Sequence, residues 1–254
     1  MPVALTRLPC PALADCALTF LERQPISIAR ALEQHAAYRA LLSELGYRVV
    51  ALGARDDLPD SVFVEDAAIV LDECAIVPRM GNDARRLEAG LLAQELAQHR
   101  GLALMDGPGT LDGGDVFRVG RDLYAGRSTR SDDAGIAELA RLTAQFGYTV
   151  HTVPVTDALH LKTAVTPLDD ATLILNPAWV DPAAFADRFD LVEIDPSEPF
   201  AANALRAGGS VVLPAGAPKT MEKVKSLGFT VRAFDQSELA KAEAGLTCMS
   251  VLID

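Results

Sequence analysis

The chain has 254 residues, half of them apolar, a net charge of −12 and four cysteines. That is enough to bury a full core without disulfides; the acidic balance argues against a nucleic-acid partner and suits a cationic ligand; and no apolar run approaches the roughly 20 residues of a membrane-spanning helix. Cys10, Cys16, Cys74 and Cys248 show no metal-ligand spacing, and the N-terminal MPVALTRLPC lacks the charged start and long apolar run of a secretion signal, so reduced thiols and a cytoplasmic setting are expected.

In chain order, an apolar strand at 2–9 is followed by an amphipathic helix at 31–45 that ends in LGYRVVAL (45–52), a glycine and then a strand. The same exit recurs as FGYTVHTV (146–153) after a helix at 132–146 and as LGFTVRAF (227–234) after a helix at 217–227. Weaker versions follow helices at 84–99 (RGLALMD, 100–106) and at 182–189 (RFDLVEID, 188–195), where Asp190 replaces the glycine. A left-handed residue just past a helix is the ordinary use of glycine and, less well, of aspartate. Markers some 40 to 55 residues apart indicate an array of similar units, here five units of strand, strand, helix, strand.

After each marker comes a turn and an apolar segment, read as a strand, that carries one or two polar residues: DSVFVED (60–66), TLDGGDVF (110–117), LHLKTAV (159–165), AANALRA (201–207) and GLTCMSV (245–251). Buried polar groups need partners, so Glu65, Asp66, Asp112, Asp115, His160, Asn203 and Cys248 are expected to converge. A ring of five units brings them to one axis. The last unit lacks its helix, and the strand at 2–9 with the helix at 31–45 supplies the missing part, so the whole of 1–254 reads as one domain whose two ends are clasped together. A doubly wound Rossmann-type sheet is the competing fold, but no GxGxxG follows a strand.

Cys10, Cys16 and Cys74 read as inert buried thiols. Cys248 differs because its segment matches that of His160, while His35 and His99 fall on polar helix faces and His151 in a marker strand. A cysteine nucleophile needs a proton acceptor and donor held by a third group, a part open to Asp112. A satisfied core histidine is the alternative for His160.

On these residues the sequence resembles the dimethylarginine dimethylaminohydrolases of the guanidino-modifying superfamily, through PDSVFVEDAAIV (59–70), ARRLE (84–88), GTLDGGDVFRVG (109–120), YAGRSTR (124–130), HLKTAV (160–165), AAN (201–203) and GLTCMS (245–250). The resemblance implies a five-bladed α/β propeller (pentein) and hydrolysis of methylated arginines to citrulline and a methylamine, with no cofactor and no metal. By the same resemblance, Cys248 is the nucleophile, His160 the acid and base, and Asp112 its orienting acid. Glu65 and Asp66 would grip the guanidinium; Arg85 and Arg130 would reach over the pocket mouth to bind the carboxylate; Asp60, with backbone near Leu18 and Ala242, would bind the α-amine; and Phe63 would line the pocket. A lid is implied around 13–25.

Crowded acids are expected to keep the free thiol protonated. Lys162, in HLKT where arginine deiminases resemble HLDT, accepts no hydrogen bond and so favours a methylated substrate over arginine. Asp112 stands where many bacterial relatives have glutamate. The expected partner is a small cationic amino acid, with neither nucleic acid nor membrane, on a monomer or homodimer. A non-catalytic binding protein of the same fold is the alternative from another class, as is an enzyme for a differently substituted guanidine.

Overall fold

The computed structural model describes all 254 residues. Fifteen short strands form five three-stranded sheets. One sheet is made by β1 (Val3–Arg7), β2 (Arg48–Leu52) and β15 (Val251–Ile253). The others are consecutive triplets: β3 (Ile69–Val70), β4 (Cys74–Val77) and β5 (Gly101–Leu104); β6 (Val116–Val119), β7 (Asp122–Arg127) and β8 (Thr149–Pro154); β9 (Val165–Pro167), β10 (Thr172–Leu175) and β11 (Asp190–Glu193); β12 (Leu205–Ala207), β13 (Ser210–Pro214) and β14 (Val231–Phe234). In every sheet the middle strand pairs antiparallel on one side and parallel on the other.

Parallel neighbours need a crossover. Helices supply it as α1 (Ile28–Glu44), α2 (Arg86–Leu96), α3 (Asp133–Thr143) and α5 (Pro218–Ser226); two shorter helices, α4 (Leu161–Ala164) and α6 (Ser237–Ala240), belong to the loops. Ring closure is as expected: β1 pairs antiparallel with β15, Leu5 opposite Val251, and parallel with β2, Val3 opposite Arg48. The N-terminal strand is thus the middle of its sheet and the C-terminal strand an edge paired to it, beginning three residues past Cys248.

Three features of the expected pattern are corrected. The crossover at 182–189 is a single 3-10 turn at Pro182–Ala184 rather than a helix. Gly46, Gly147 and Gly228 do take positive φ, of 96°, 78° and 93°. Asp190 and Gly101 do not, and are simply the first residues of β11 and β5.

The third correction bears on function. The polar segments are not strands but tight turns leading into strands: 3-10 turns at Val64–Ala67, Gly113–Asp115 and Thr247–Met249, and α4 with His160 at its N-cap. These turns pack on one another, Val64–Ala67 against both Gly113–Asp115 and Thr247–Met249, and Gly113–Asp115 against α4. These turns bring polar side chains from distant segments together near the axis.

The close approach depends on glycine. A Cβ on Gly113 would lie 2.1 Å from the Glu65 carbonyl oxygen, and one on Gly245 would lie 2.3 Å from the Asn203 side chain. Asn203 uses that proximity as a strut: it donates to the Lys162 carbonyl (2.8 Å) and the Thr247 hydroxyl (3.0 Å) and accepts the Thr247 N–H (3.0 Å).

Candidate active site

His160 is 2% exposed. Its Nε2 lies 3.1 Å from Asp112 Oδ2, and its Nδ1 lies 3.6 Å from Asp66 Oδ1. Asp112 is itself fixed: Oδ1 accepts the Gly81 N–H (2.9 Å) and its own N–H donates to Ser131 Oγ (3.0 Å). The backbone beside His160 is pinned by Asp115, which accepts the Leu161 N–H at 2.8 Å and the hydroxyls of Ser128 and Ser131 at 2.7 and 2.6 Å. Asp115 thus sets the ring's position without touching it. The GGD run that contains it was legible as a convergent acid, not as this brace.

A small cavity of about 20 Å3 is lined by His160, Cys248, Asp60, Phe63, Asp66, Arg85, Arg130, Ala242, Ala17, Leu159, Glu243 and Ala244. The thiol and the imidazole therefore share one chamber. The only hydrogen bond to the sulfur comes from the Gly245 N–H, at 3.3 Å. Of the expected site residues, Asp112 stands behind His160, and Leu18 and Glu65 do not line the chamber.

Glu65 points the other way. Its carboxylate accepts Lys162 Nζ and Thr247 Oγ1, each at 2.6 Å, and all three residues line a separate cavity of about 260 Å3 between the strands. Asp66, the next residue in the same turn, faces Cys248 and His160. Consecutive residues of VED thus face different cavities, Asp66 the chamber and Glu65 the strand-lined one. Lys162 likewise lies outside the chamber.

Arg85 departs from expectation as well. Rather than reaching over a mouth it is buried, donating to Asp66 Oδ2 (2.7 Å), to Glu88 (2.8 Å), and to the carbonyls of Asp60 and Phe63 (3.2 Å each). Arg130 is the freer of the two and bonds Thr19 Oγ1 at 2.9 Å. Asp66 Oδ2 is thus occupied, while Oδ1, buried, has no hydrogen-bond partner and only the His160 Nδ1 at ion-pair distance, 3.6 Å.

The electrostatics follow from this packing. Burial, then Glu65 and Asp66, push the Cys248 thiol well above the ordinary thiol range, with the Gly245 N–H and Lys162 pulling weakly the other way. Burial by itself would lower His160, but Asp66, Asp112 and Asp115 outweigh it and raise the imidazole to about 9. Asp66 is also buried, yet His160 and Arg85 hold it below the usual carboxylate range. Near neutrality the resting site therefore pairs a neutral thiol with an imidazolium. Ligand atoms of Asp66, Asp112 and His160 lie within 4.8 Å of one another, but the Asp112–His160 bond and Arg85 already engage them, leaving a poor cage for a dication.

Against known proteins, the chain is 38% identical over 250 residues to an N(G),N(G)-dimethylarginine dimethylaminohydrolase of Streptomyces coelicolor, covering 98% of this chain and 95% of that one. The chain belongs to the dimethylarginine dimethylaminohydrolase family. A Pseudomonas aeruginosa member is 33% identical over 97% of both chains, and the family model described as arginine deiminase matches residues 54–206. The Pseudomonas aeruginosa dimethylarginine dimethylaminohydrolase solved in complex with citrulline superposes with a TM-score of 0.94 at 32% identity, covering 98% of both chains. The N-terminal domain of ArgZ, an arginine dihydrolase, superposes at 0.90 with 20% identity and shares the fold. The five-bladed pentein architecture implied by the resemblance is therefore shared with a family member of known structure.

Proposed function

We propose that the chain hydrolyses Nω,Nω-dimethyl-L-arginine, and Nω-monomethyl-L-arginine, to citrulline and dimethylamine or methylamine. The observation that carries this reading is the unpartnered, buried Oδ1 of Asp66, 3.6 Å from His160 Nδ1 in the chamber that Cys248 lines. An ionised carboxylate with a free oxygen beside a thiol and an imidazolium is built to receive a cation's N–H, and a guanidinium offers such donors in one plane.

Binding that cation offsets the charge that keeps Cys248 protonated. The thiol then gives up its proton to solvent, since His160 already carries one, and the thiolate attacks the guanidinium carbon. His160 gives its proton to the departing dimethylamine, leaving a covalent S-alkylthiouronium, and the resulting neutral imidazole takes a proton from the water that attacks the same carbon. Collapse of the second tetrahedral species breaks the C–S bond and releases citrulline. Asp112 holds the ring, and Gly245 N–H is the one donor placed to favour the thiolate. Asp60 and the backbone near Leu18 and Ala242 are assigned to the α-amine, Arg130 to the α-carboxylate, and Arg85 to holding Asp60 and Asp66 in place.

No helix is long and apolar enough to cross a membrane. The four unpaired cysteines support a reducing, cytoplasmic setting for the reaction. Incubation with dimethylarginine, monomethylarginine, arginine and agmatine, measuring citrulline and the released amines, tests the reading. Turnover of the methylated substrates, lost in Cys248→Ser, is expected; inertness toward all four would leave the fold without the activity.

A further inference from the structure

The chamber is narrow. Its roughly 20 Å3 holds about one water, so no amino acid enters without movement of what covers it. The cover is the segment 17–21, fastened at three points. Ala17 N–H meets both oxygens of Asp60 at 3.2 Å, Thr19 Oγ1 accepts from Arg130 at 2.9 Å, and the carboxylate of Glu243 accepts three consecutive backbone N–H groups, Thr19 (3.0 Å), Phe20 (2.5 Å) and Leu21 (2.6 Å). Glu243 is one of two non-glycine residues with positive φ, at 60°. A residue held in that sparsely populated region points to a local demand, and here the strained backbone turns the carboxylate toward the three amides of the cover.

We infer that Glu243 is a positioning residue that latches segment 17–21 over the Cys248 chamber, and that the latched segment occupies Asp60 and Arg130 until an α-amino acid displaces it. This rests on the assignment of those two side chains to the substrate's α-amine and α-carboxylate. Ala17 N–H stands where the ammonium would donate, and Thr19 Oγ1 where the carboxylate would accept. An arriving α-amino acid replaces both contacts with stronger, charged ones, while Glu243, which touches neither group, keeps the segment tethered to close again. A guanidine without those groups has nothing to exchange for the two contacts, so the latch selects for an amino-acid substrate.

The test has one arm that depends on no substrate. In the free full-length chain, alkylation of Cys248 by iodoacetamide, followed by mass spectrometry of the peptide carrying Cys248, is compared for wild type, Glu243→Gln and Glu243→Ala at one pH, with circular dichroism to verify the fold. Hydrogen bonds to a charged acceptor of this kind predict roughly a tenfold faster reaction for Glu243→Ala and a smaller gain for Glu243→Gln, which keeps one acceptor. Proteolysis between residues 17 and 25 should accelerate in the same order. In the second arm KM for dimethylarginine should rise in Glu243→Ala with a smaller change in kcat. Unchanged alkylation and proteolysis in a folded Glu243→Ala would overturn the latch. Faster alkylation with no turnover of dimethylarginine would keep the latch and reject the substrate assignment instead.

Discussion

Asp112→Asn isolates the bond on which the proton chemistry depends. Asp112 Oδ2 lies 3.1 Å from His160 Nε2, and both groups are almost fully buried. Bare Coulomb attraction at that distance with an effective dielectric near 20 is about 5 kcal/mol, an upper bound. Measured net values for hydrogen bonds to charged groups are lower, about 1.5–3 kcal/mol. At about 1.4 kcal/mol per pKa unit the substitution should lower the imidazole by roughly one to two units. From about 9 in the native site this brings it to roughly 7 to 8, still above an ordinary histidine because Asp66 and Asp115 remain.

The sign is decisive, since the proposed mechanism uses His160 as the imidazolium for departure of the amine. Loss of the partner that raises its pKa moves the alkaline limb of kcat/KM to lower pH. Titration of the His160 ring by NMR in the free protein, alongside the pH profile for dimethylarginine, reads the same shift twice. An unmoved ring pKa and an unmoved alkaline limb in a folded Asp112→Asn would refute the assignment of Asp112 as the group that holds and charges the imidazole.

Two further substitutions follow from the packing. Gly114→Ala would place a Cβ 2.5 Å from Asp66 Oδ1 and 2.7 Å from His160 Nδ1; displacing reacting groups by about 1 Å costs on the order of a hundredfold, so kcat should collapse while thermal unfolding changes little, and near-normal kcat would show that the Asp66–His160 geometry is dispensable. Lys162→Met strands the Glu65 carboxylate, which is buried and whose 2.6 Å contact with Lys162 Nζ is lost; stability should fall by about 3–5 kcal/mol, measured by urea unfolding, and Lys162→Met with Glu65→Gln should recover most of it. Failure of the double variant to recover would mean that the pair's role is not charge compensation.

The three glycine exits at Gly46, Gly147 and Gly228 were readable because a left-handed residue after a helix has few substitutes, and from them the five-unit ring and its clasp followed. Asp190 misled because it sits in the same frame while β11 simply begins there. That Asp66, Asp112, His160 and Cys248 gather at one end of the axis was also readable, since polar groups in apolar segments must find partners. Their lead-in turns were not, because three residues of 3-10 helix carry no period to distinguish them from a strand.

Direction was the least legible property. Glu65 and Asp66 are adjacent acids and both are buried, yet one pairs with Lys162 in the strand-lined cavity and the other faces the thiol; only the tertiary placement of Lys162 and Arg85 decides which is which. Arg85 was misplaced at the mouth for the same reason, as its surroundings come from Asp60, Phe63, Asp66 and Glu88 together.

The account stands on Cys248 forming a bond to the guanidinium carbon. Acid quenching during turnover of dimethylarginine, then intact-mass and peptide mass spectrometry, reads that bond directly. The expected result is a population of chains heavier by dimethylarginine less dimethylamine, with the added mass on the peptide carrying Cys248 and absent from Cys248→Ala. Turnover to citrulline by Cys248→Ala at the wild-type rate, or an adduct on any other residue, would contradict it.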